Sequence, residues 1–236
     1  MVNYLCFDTE TTGLSDDAQV LTAYFIILDS DFNEIDILDL RIRYPVYHVQ
    51  LKAFQINKIN LGTHDKTALD LLDARNTLTN FLKKNSNGKY IPLGHNIKFD
   101  LQQLSKNFDT SHYINSTFSL DTMQIAQFFK SSKRLSVTQS LSLKNLTEYY
   151  NIKPKGELHN AECDIRLTID LFKHFQTLLI KQENTTNTNE NTNENTNVIK
   201  DEFENVSENK NVADILLSFK KKPVRVLRKR NVVKYF

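Results

Sequence analysis

Apolar and polar positions along the chain predict strands first and helices afterwards. Val2-Asn3-Tyr4-Leu5-Cys6-Phe7 is an apolar run rich in strand formers and short enough to be one buried strand. Val20 to Leu28 is a second apolar run, and Glu34 to Arg43 a third. In the third, Leu38, Leu40 and Ile42 alternate with Asp39, Arg41 and Arg43, the pattern of a half-exposed strand. Asp29-Ser30-Asp31-Phe32-Asn33 between the two is turn chemistry and predicts a hairpin. Three antiparallel strands in a row argue against a purely doubly wound sheet.

Helical spacing follows. Leu71, Leu72, Leu78 and Leu82 fall close to one face of a helix predicted from Lys66 to Lys84. Tyr90 to Leu93 predicts a short strand. Asn96 is placed to cap a helix running to Asn107, with Ile97, Leu101, Leu104 and Phe108 on its apolar side. Ser119 to Thr122 ends another short strand, and further helices are predicted at Thr122–Phe129, Leu141–Tyr150 and Ala161–Ile180. This order predicts one α/β domain over residues 1–181, a mixed sheet with helices on both faces.

Residues 182–210 change character. NTTNTNENTNENTN at 184–197 holds no apolar residue and cannot bury a core, which predicts a disordered linker. Residues 211–236 follow, with an apolar patch (Val212, Ile215, Leu216, Leu217, Phe219) and then KKKPVRVLRKRNVVKYF. The chain carries a net charge of +2. Residues 1–180 contribute −1, residues 181–210 −4 and residues 211–236 +7, so the basic character belongs to the tail. No apolar run approaches the roughly 20 residues needed to span a bilayer. The N-terminus lacks a signal-peptide pattern. Cys6 and Cys163 make no disulfide framework and read as reduced thiols of an intracellular protein, in cytoplasm or nucleus.

Candidate chemistry gathers around carboxylates. FDTETTG at 7–13 sets Asp8 and Glu10 two residues apart at the end of the first strand, where residues i and i+2 share a face. Two like charges so close repel, and burying them calls for a cation between them; oxygen-only ligands suit Mg²⁺ or Mn²⁺. HNIKFD puts Asp100 in the second turn of its helix, and HNAECD carries His159 and Asp164 into the last helix. Convergence of Asp100 and Asp164 on the first strand would surround one space with four carboxylates. Such a space suits two metals about 4 Å apart that clamp the attacking and leaving oxygens of a phosphoryl transfer. A histidine beside it could take the proton of a water. Taken singly each residue has a plainer reading. Asp8 and Glu10 would be a surface pair, Asp100 and Asp164 solvated helix residues, His159 a loop histidine and Asp121 a helix cap.

FDTETTG, HNIKFD and HNAECD, in this order and at these spacings, resemble the DEDDh 3′–5′ exonucleases of the ribonuclease-H-like superfamily, proofreading (DnaQ-like) subunits especially, over residues 1–180. The resemblance implies a mixed five-stranded sheet flanked by helices. It implies Asp8, Glu10, Asp100 and Asp164 as ligands of two Mg²⁺ or Mn²⁺ ions and His159 as general base. The reaction it implies releases 5′-mononucleotides from DNA 3′ ends. The loop after the second acid meets the terminal nucleotide in this family, which makes Thr11, Gly13 and Leu14 candidate contacts, with Leu14 stacking on a base. Lys52 to Ile59 resembles the family's Glu-Ala-Phe-x-Val-His-Gly-Ile, adding Phe54 and Asn57. Lys52 and Asn57 depart from it, at positions where the family has a glutamate and a histidine near the 3′ hydroxyl. Phe54 could equally be core packing, and Asn96 is placed both to cap its helix and to face substrate.

Two other functions compete. Ribonuclease T and oligoribonuclease share the same acids and histidine, so an exoribonuclease is the near alternative, separated by the ribose 2′-OH. A decayed nuclease kept as a nucleic-acid-binding or polymerase-accessory module is the reading of another class; the filled catalytic positions argue against it. The expected partner is a nucleic-acid 3′ end, single-stranded DNA favoured, in replication proofreading or repair and away from membranes. A DNA polymerase or clamp is the expected partner of residues 211–236, as proofreading subunits bind theirs through a segment beyond a flexible linker.

Overall fold

The computed structural model describes residues 3–84, 86, 88–154 and 160–189, with side chains up to residue 180. The chain divides into two compact units, Met1–Thr177 and Leu178–Phe236. The elements described below belong to the first, apart from the end of its last helix. The expected tail, 211–236, and the linker beyond residue 189 lie outside the described residues. Among the described residues no helix is long and apolar enough to cross a membrane.

Three antiparallel strands open the chain: β1 (Tyr4–Thr11), β2 (Val20–Leu28) and β3 (Glu34–Arg43). The hairpin between β2 and β3 turns at Asp29, whose Oδ1 accepts the backbone N–H groups of Asp31 and Asn33. α1 (Leu51–Asn57), α2 (Leu61–His64), the two-residue strand β4 (Leu69–Asp70) and α3 (Leu71–Lys84) follow. Then come β5 (Ile91–Gly94), α4 (Ile97–Asn107), β6 (Leu120–Asp121), α5 (Thr122–Ser131), α6 (Leu143–Tyr149) and α7 (Ala161–Asn189). The sheet order is β4-β3-β2-β1-β5-β6, with β5 parallel to β1 and β6 parallel to β5. The expected mixed five-stranded sheet is thus present, and β4 adds a short sixth strand at its edge. Helices cover both faces, the ribonuclease-H-like arrangement.

Alternation along β1 sorts the layers. Leu5 and Phe7 join a core of Phe25, Ala74, Leu78, Ile97 and Leu104, which brings α3 and α4 onto one face. Tyr4 points to the other face and stacks on Phe32 with ring centroids 4.4 Å apart. Phe32 in turn meets Phe172 of α7 at 4.9 Å, and Phe175 meets Phe129 of α5 at 5.1 Å. α4 and α7 therefore lie on opposite faces of the same strand.

Several expectations need correction. The helix expected from Lys66 begins at Leu71, because residues 69–70 pair with Ile42 and Arg43, and Asp70 then receives the Asp73 N–H as a cap. Leu72, expected on the apolar face, is 66% exposed; Ala74 and Phe81 are buried instead. Asn96 stands at the start of α4 but its side chain makes no cap hydrogen bond, because its backbone is left-handed (φ 60°, ψ 39°) and aims the side chain elsewhere. Asp100 falls in the first turn of α4, not the second. α7 continues to Asn189, beyond its expected end and into the segment expected as linker.

The fully buried Phe25, stacked on Phe7 at 5.5 Å, is the test of this core. Phe25→Ala is expected to lower unfolding free energy by about 3–5 kcal/mol in urea titrations.

Candidate active site

β1 carries two acids onto the α7 face of the sheet. Asp8 lies opposite Tyr24 of β2 and Glu10 opposite Thr22, and a bulge follows between Glu10 and Thr11 where the strand leaves the sheet. Asp164 is the fourth residue of α7. Asn160 sets that helix start: its Oδ1 accepts the Glu162 N–H at 3.0 Å and its carbonyl accepts the Asp164 N–H at 3.0 Å. One carboxylate oxygen from each of Asp8, Glu10 and Asp164 lies within 4.8 Å of the others.

Asp100 reaches the same strand end from the opposite face. It is 4% exposed, and its Oδ1 accepts both the Thr9 N–H at 3.0 Å and the Thr9 Oγ1–H at 2.7 Å. Thr9, between the two acids, points to the α4 side, so one tripeptide offers acids to one layer and an anchor to the other. Sequence reading left the roles of Thr9 and Asn160 unassigned. The first was legible from alternation, and the second from an Asn directly before a helix.

The acids are crowded enough to hold protons. Burial raises the Asp8 pKa well above the ordinary carboxylate range, and the charges of Asp100, Glu10 and Asp164 add to it. Burial, then Asp164 and Asp100, push Glu10 up to about 8. Burial pushes Asp100 up to about 7, against the pull of its Thr9 hydrogen bonds. Adjacent Cys6 is raised by burial and by the same acids. The donor set fits a hard divalent cation: all-oxygen, half-buried and anionic. Two oxygens on one octahedral ion lie about 3–4 Å apart, within reach of small rotations from the separations seen here.

Beyond the acids, the structure places each expected substrate contact as follows. Thr11 is buried, and its Oγ1 donates to the Gly13 carbonyl at 2.6 Å. A Cβ on Gly13 would fall 2.4 Å from the Gln50 side chain and would have to displace its amide. Gln50 Oε1 accepts the Leu14 N–H at 3.0 Å, and Leu14 itself is 77% exposed. α1 has no buried residue, so Phe54 is half-buried on it and takes no part in the core. Asn57 Nδ2 donates to the Thr11 carbonyl at 3.2 Å, tying α1 to the loop after β1. Asn57 also lines a cavity of about 420 Å³ with Glu10, Tyr24, Arg41, Lys58 and Asn160. Asn96 is exposed at the start of α4. His159 lies outside the described residues. Asp121 caps α5 as expected, accepting the Met123 N–H at 2.9 Å.

Without divalent cations, stability should depend on pH in a defined sense. The folded state keeps protons on Glu10 up to about 8 and on Asp100 up to about 7, whereas the unfolded chain releases them near the ordinary carboxylate values of 4.5 and 3.8. The folded state thus binds more protons, and stability falls as pH rises from about 4 to 8. Thermal unfolding in EDTA should show Tm dropping across this range. Mg²⁺ should restore Tm at pH 8, and Glu10→Gln should flatten the slope. A pH-independent Tm in EDTA would contradict the crowding.

The exonuclease family model RNase_T matches residues 5–172. No curated protein matches the chain. Among solved structures, E. coli exonuclease I bound to a dT13 oligonucleotide has 18% identity and a TM-score of 0.66, covering 78% of this chain and 43% of that one. The zinc-bound E. coli exonuclease I–ssDNA complex has 19% identity and a TM-score of 0.66, covering 80% and 43%. A complex of exonuclease I with SSB-Ct has 19% identity and a TM-score of 0.62, covering 78% and 44%. This chain spans less than half the length of these relatives, and at such identities the likeness is one of fold. With the family model covering most of the α/β unit, the chain belongs to the DEDDh (DnaQ-like) 3′–5′ exonuclease family.

Proposed function

We propose that this protein hydrolyses DNA from the 3′ end, releasing 5′-mononucleotides, with two Mg²⁺ or Mn²⁺ ions. The observation that carries the reading is the meeting of Asp8, Glu10 and Asp164 within 4.8 Å at the strand end that Asp100 reaches from the other face. Separate sequence motifs supply these acids, and their mutual repulsion, which otherwise keeps protons on them, is offset by a bound cation.

Asp8, Glu10, Asp100 and Asp164 hold the ions. When bound, the ions supply charge stabilisation on the phosphate oxygens and an acidified water. His159, one residue before Asn160, takes the proton of the attacking water on an imidazole nitrogen. The water oxygen bonds to phosphorus, the bond from phosphorus to the 3′ oxygen breaks, and the shortened strand leaves with a 3′ hydroxyl. Leu14 would offer its exposed apolar side chain for base stacking, and Thr11, Gly13, Phe54, Asn57 and Asn96 are the further residues we assign to contacts with the terminal nucleotide. Single-stranded DNA as substrate is supported by the FDTETTGLS sequence and by the oligonucleotides bound to the exonuclease I structures. The role we assign is proofreading or repair inside the cell. Residues 211–236 would add phosphate contacts through Lys220, Lys221, Lys222, Arg225, Arg228, Lys229, Arg230 and Lys234, and their apolar patch would dock a polymerase or clamp.

The test is digestion of labelled 3′ ends: paired, mismatched, single-stranded and RNA. Mg²⁺-dependent mononucleotide release is expected, abolished by EDTA and lowered more than about 100-fold by Asp8→Ala or Asp164→Asn with strand binding retained. Faster loss of RNA would overturn the DNA assignment. Turnover no greater than that of Asp8→Ala would leave only a binding module. Deleting residues 211–236 should spare short oligomers and weaken binding to long DNA at low salt.

A further inference from the structure

Asp121 does more than cap its helix. Its Oδ1 accepts the N–H groups of Met123 at 2.9 Å and Gln124 at 3.4 Å, which open α5. The same oxygen accepts the Asn96 N–H at 3.0 Å, and that bond crosses to the turn joining β5 to α4. Thr122 adds a second tie: its Oγ1 donates to the Gly94 carbonyl at 3.2 Å and lies 2.9 Å from His95 Nδ1. Asp121 and Thr122 are both buried, and the Thr122–Gly94 bond is buried with them.

The turn they hold needs holding. Asn96 adopts φ 60°, ψ 39°, a conformation that costs a residue with a side chain roughly 1 kcal/mol, though less for Asn than for most. No side chain of Asn96 caps α4, and a Cβ on Gly94 would come within 2.5 Å of Ile97, so the turn is tight as well as left-handed. Asp100 stands four residues beyond Asn96, on the first turn of the same helix, fixed to Thr9. A helix moves as a unit. If its start drifts, the Asp100 carboxylate drifts with it, and such centres tolerate only about 0.5 Å.

We propose that Asp121 is a positioning residue for the carboxylate centre: by accepting the Asn96 N–H it fixes the left-handed turn ahead of α4 and thereby sets Asp100 against the end of β1. The proposal rests on the metal-dependent nuclease reading given above. Asp121 acts through the turn; its charge also bears on Asp100, so Asp121→Asn tests the hydrogen bonds with that charge removed.

Three variants separate the two duties of the side chain. Asp121→Asn keeps an Oδ1 that reaches both Met123 and Asn96. Asp121→Ser is a good helix cap but too short to reach Asn96. Asp121→Ala has neither bond. The measurements are the Mg²⁺ concentration for half-maximal hydrolysis of a single-stranded oligonucleotide, the KM for that oligonucleotide, and Mn²⁺ affinity by calorimetry. The expected result is a 10- to 100-fold higher Mg²⁺ requirement for Ser and Ala, recovery to within about threefold of wild type for Asn, and an unchanged KM. A Ser variant matching wild type would show that capping is the whole role and overturn the proposal, even if the Ala variant does not fold. If the wild-type protein hydrolyses no nucleic acid, the nuclease reading fails. The Mn²⁺ titration still decides the positioning role: weaker Mn²⁺ binding by Ser than by Asn supports it, and equal binding by wild type, Asn and Ser overturns it.

Discussion

Negative charge is concentrated where β1 ends, and the surrounding architecture is arranged to tolerate it. Asp8 and Glu10 project from one face of the strand, Asp164 arrives on α7 above that face, and Asp100 comes from α4 beneath the other. Burial and mutual repulsion together favour protonated acids, pushing Glu10 up to about 8. They become useful only when a cation offsets their repulsion. The apolar layers on either side therefore serve to keep them from spreading apart. Phe7, Phe25 and Ile97 pack one layer, and Tyr4, Phe32 and Phe172 stitch the other.

Strand alternation makes this economical. Because successive side chains point to opposite faces, Asp8-Thr9-Glu10 serves both layers at once. The acids face α7, while Thr9 offers a backbone N–H and a hydroxyl to the carboxylate from α4. β1 can do this only as an inner strand, paired with β2 on one side and β5 on the other, so that its end is fixed by two neighbours.

Much of this was legible in the residues. β2 and β3 fall at Val20–Leu28 and Glu34–Arg43 as expected, because their apolar runs are bounded by strong turn chemistry. The mixed sheet, the helices on both faces and the gathering of Asp8, Glu10 and Asp164 also followed from pattern and motif. What escaped did so for identifiable reasons. α1 buries nothing and so leaves no apolar stripe to read. Leu72 lies on the exposed side because, at 100° per residue, it falls well off the stripe of Ala74, Leu78, Phe81 and Leu82. Asn96 looked like a side-chain cap because Asn is favoured there, but its worth lies in tolerating a left-handed backbone. The bond from Asn96 to Asp121 spans 25 residues and leaves no local trace in the chain.

α1 hangs on the loop after β1 by the Gln50 N–H to the Thr12 carbonyl and by Asn57 Nδ2 to the Thr11 carbonyl, with none of its own residues in the core. Only Ala53, Phe54 and Asn57 of its side chains are partly buried, so the others contribute little to folding free energy. Lys52 and Asn57, which differ from the related Glu-Ala-Phe stretch, both lie on this helix. On the function proposed above, an exchange at Asn57, which lines the same cavity as Glu10, would alter access to the acids without opening the core.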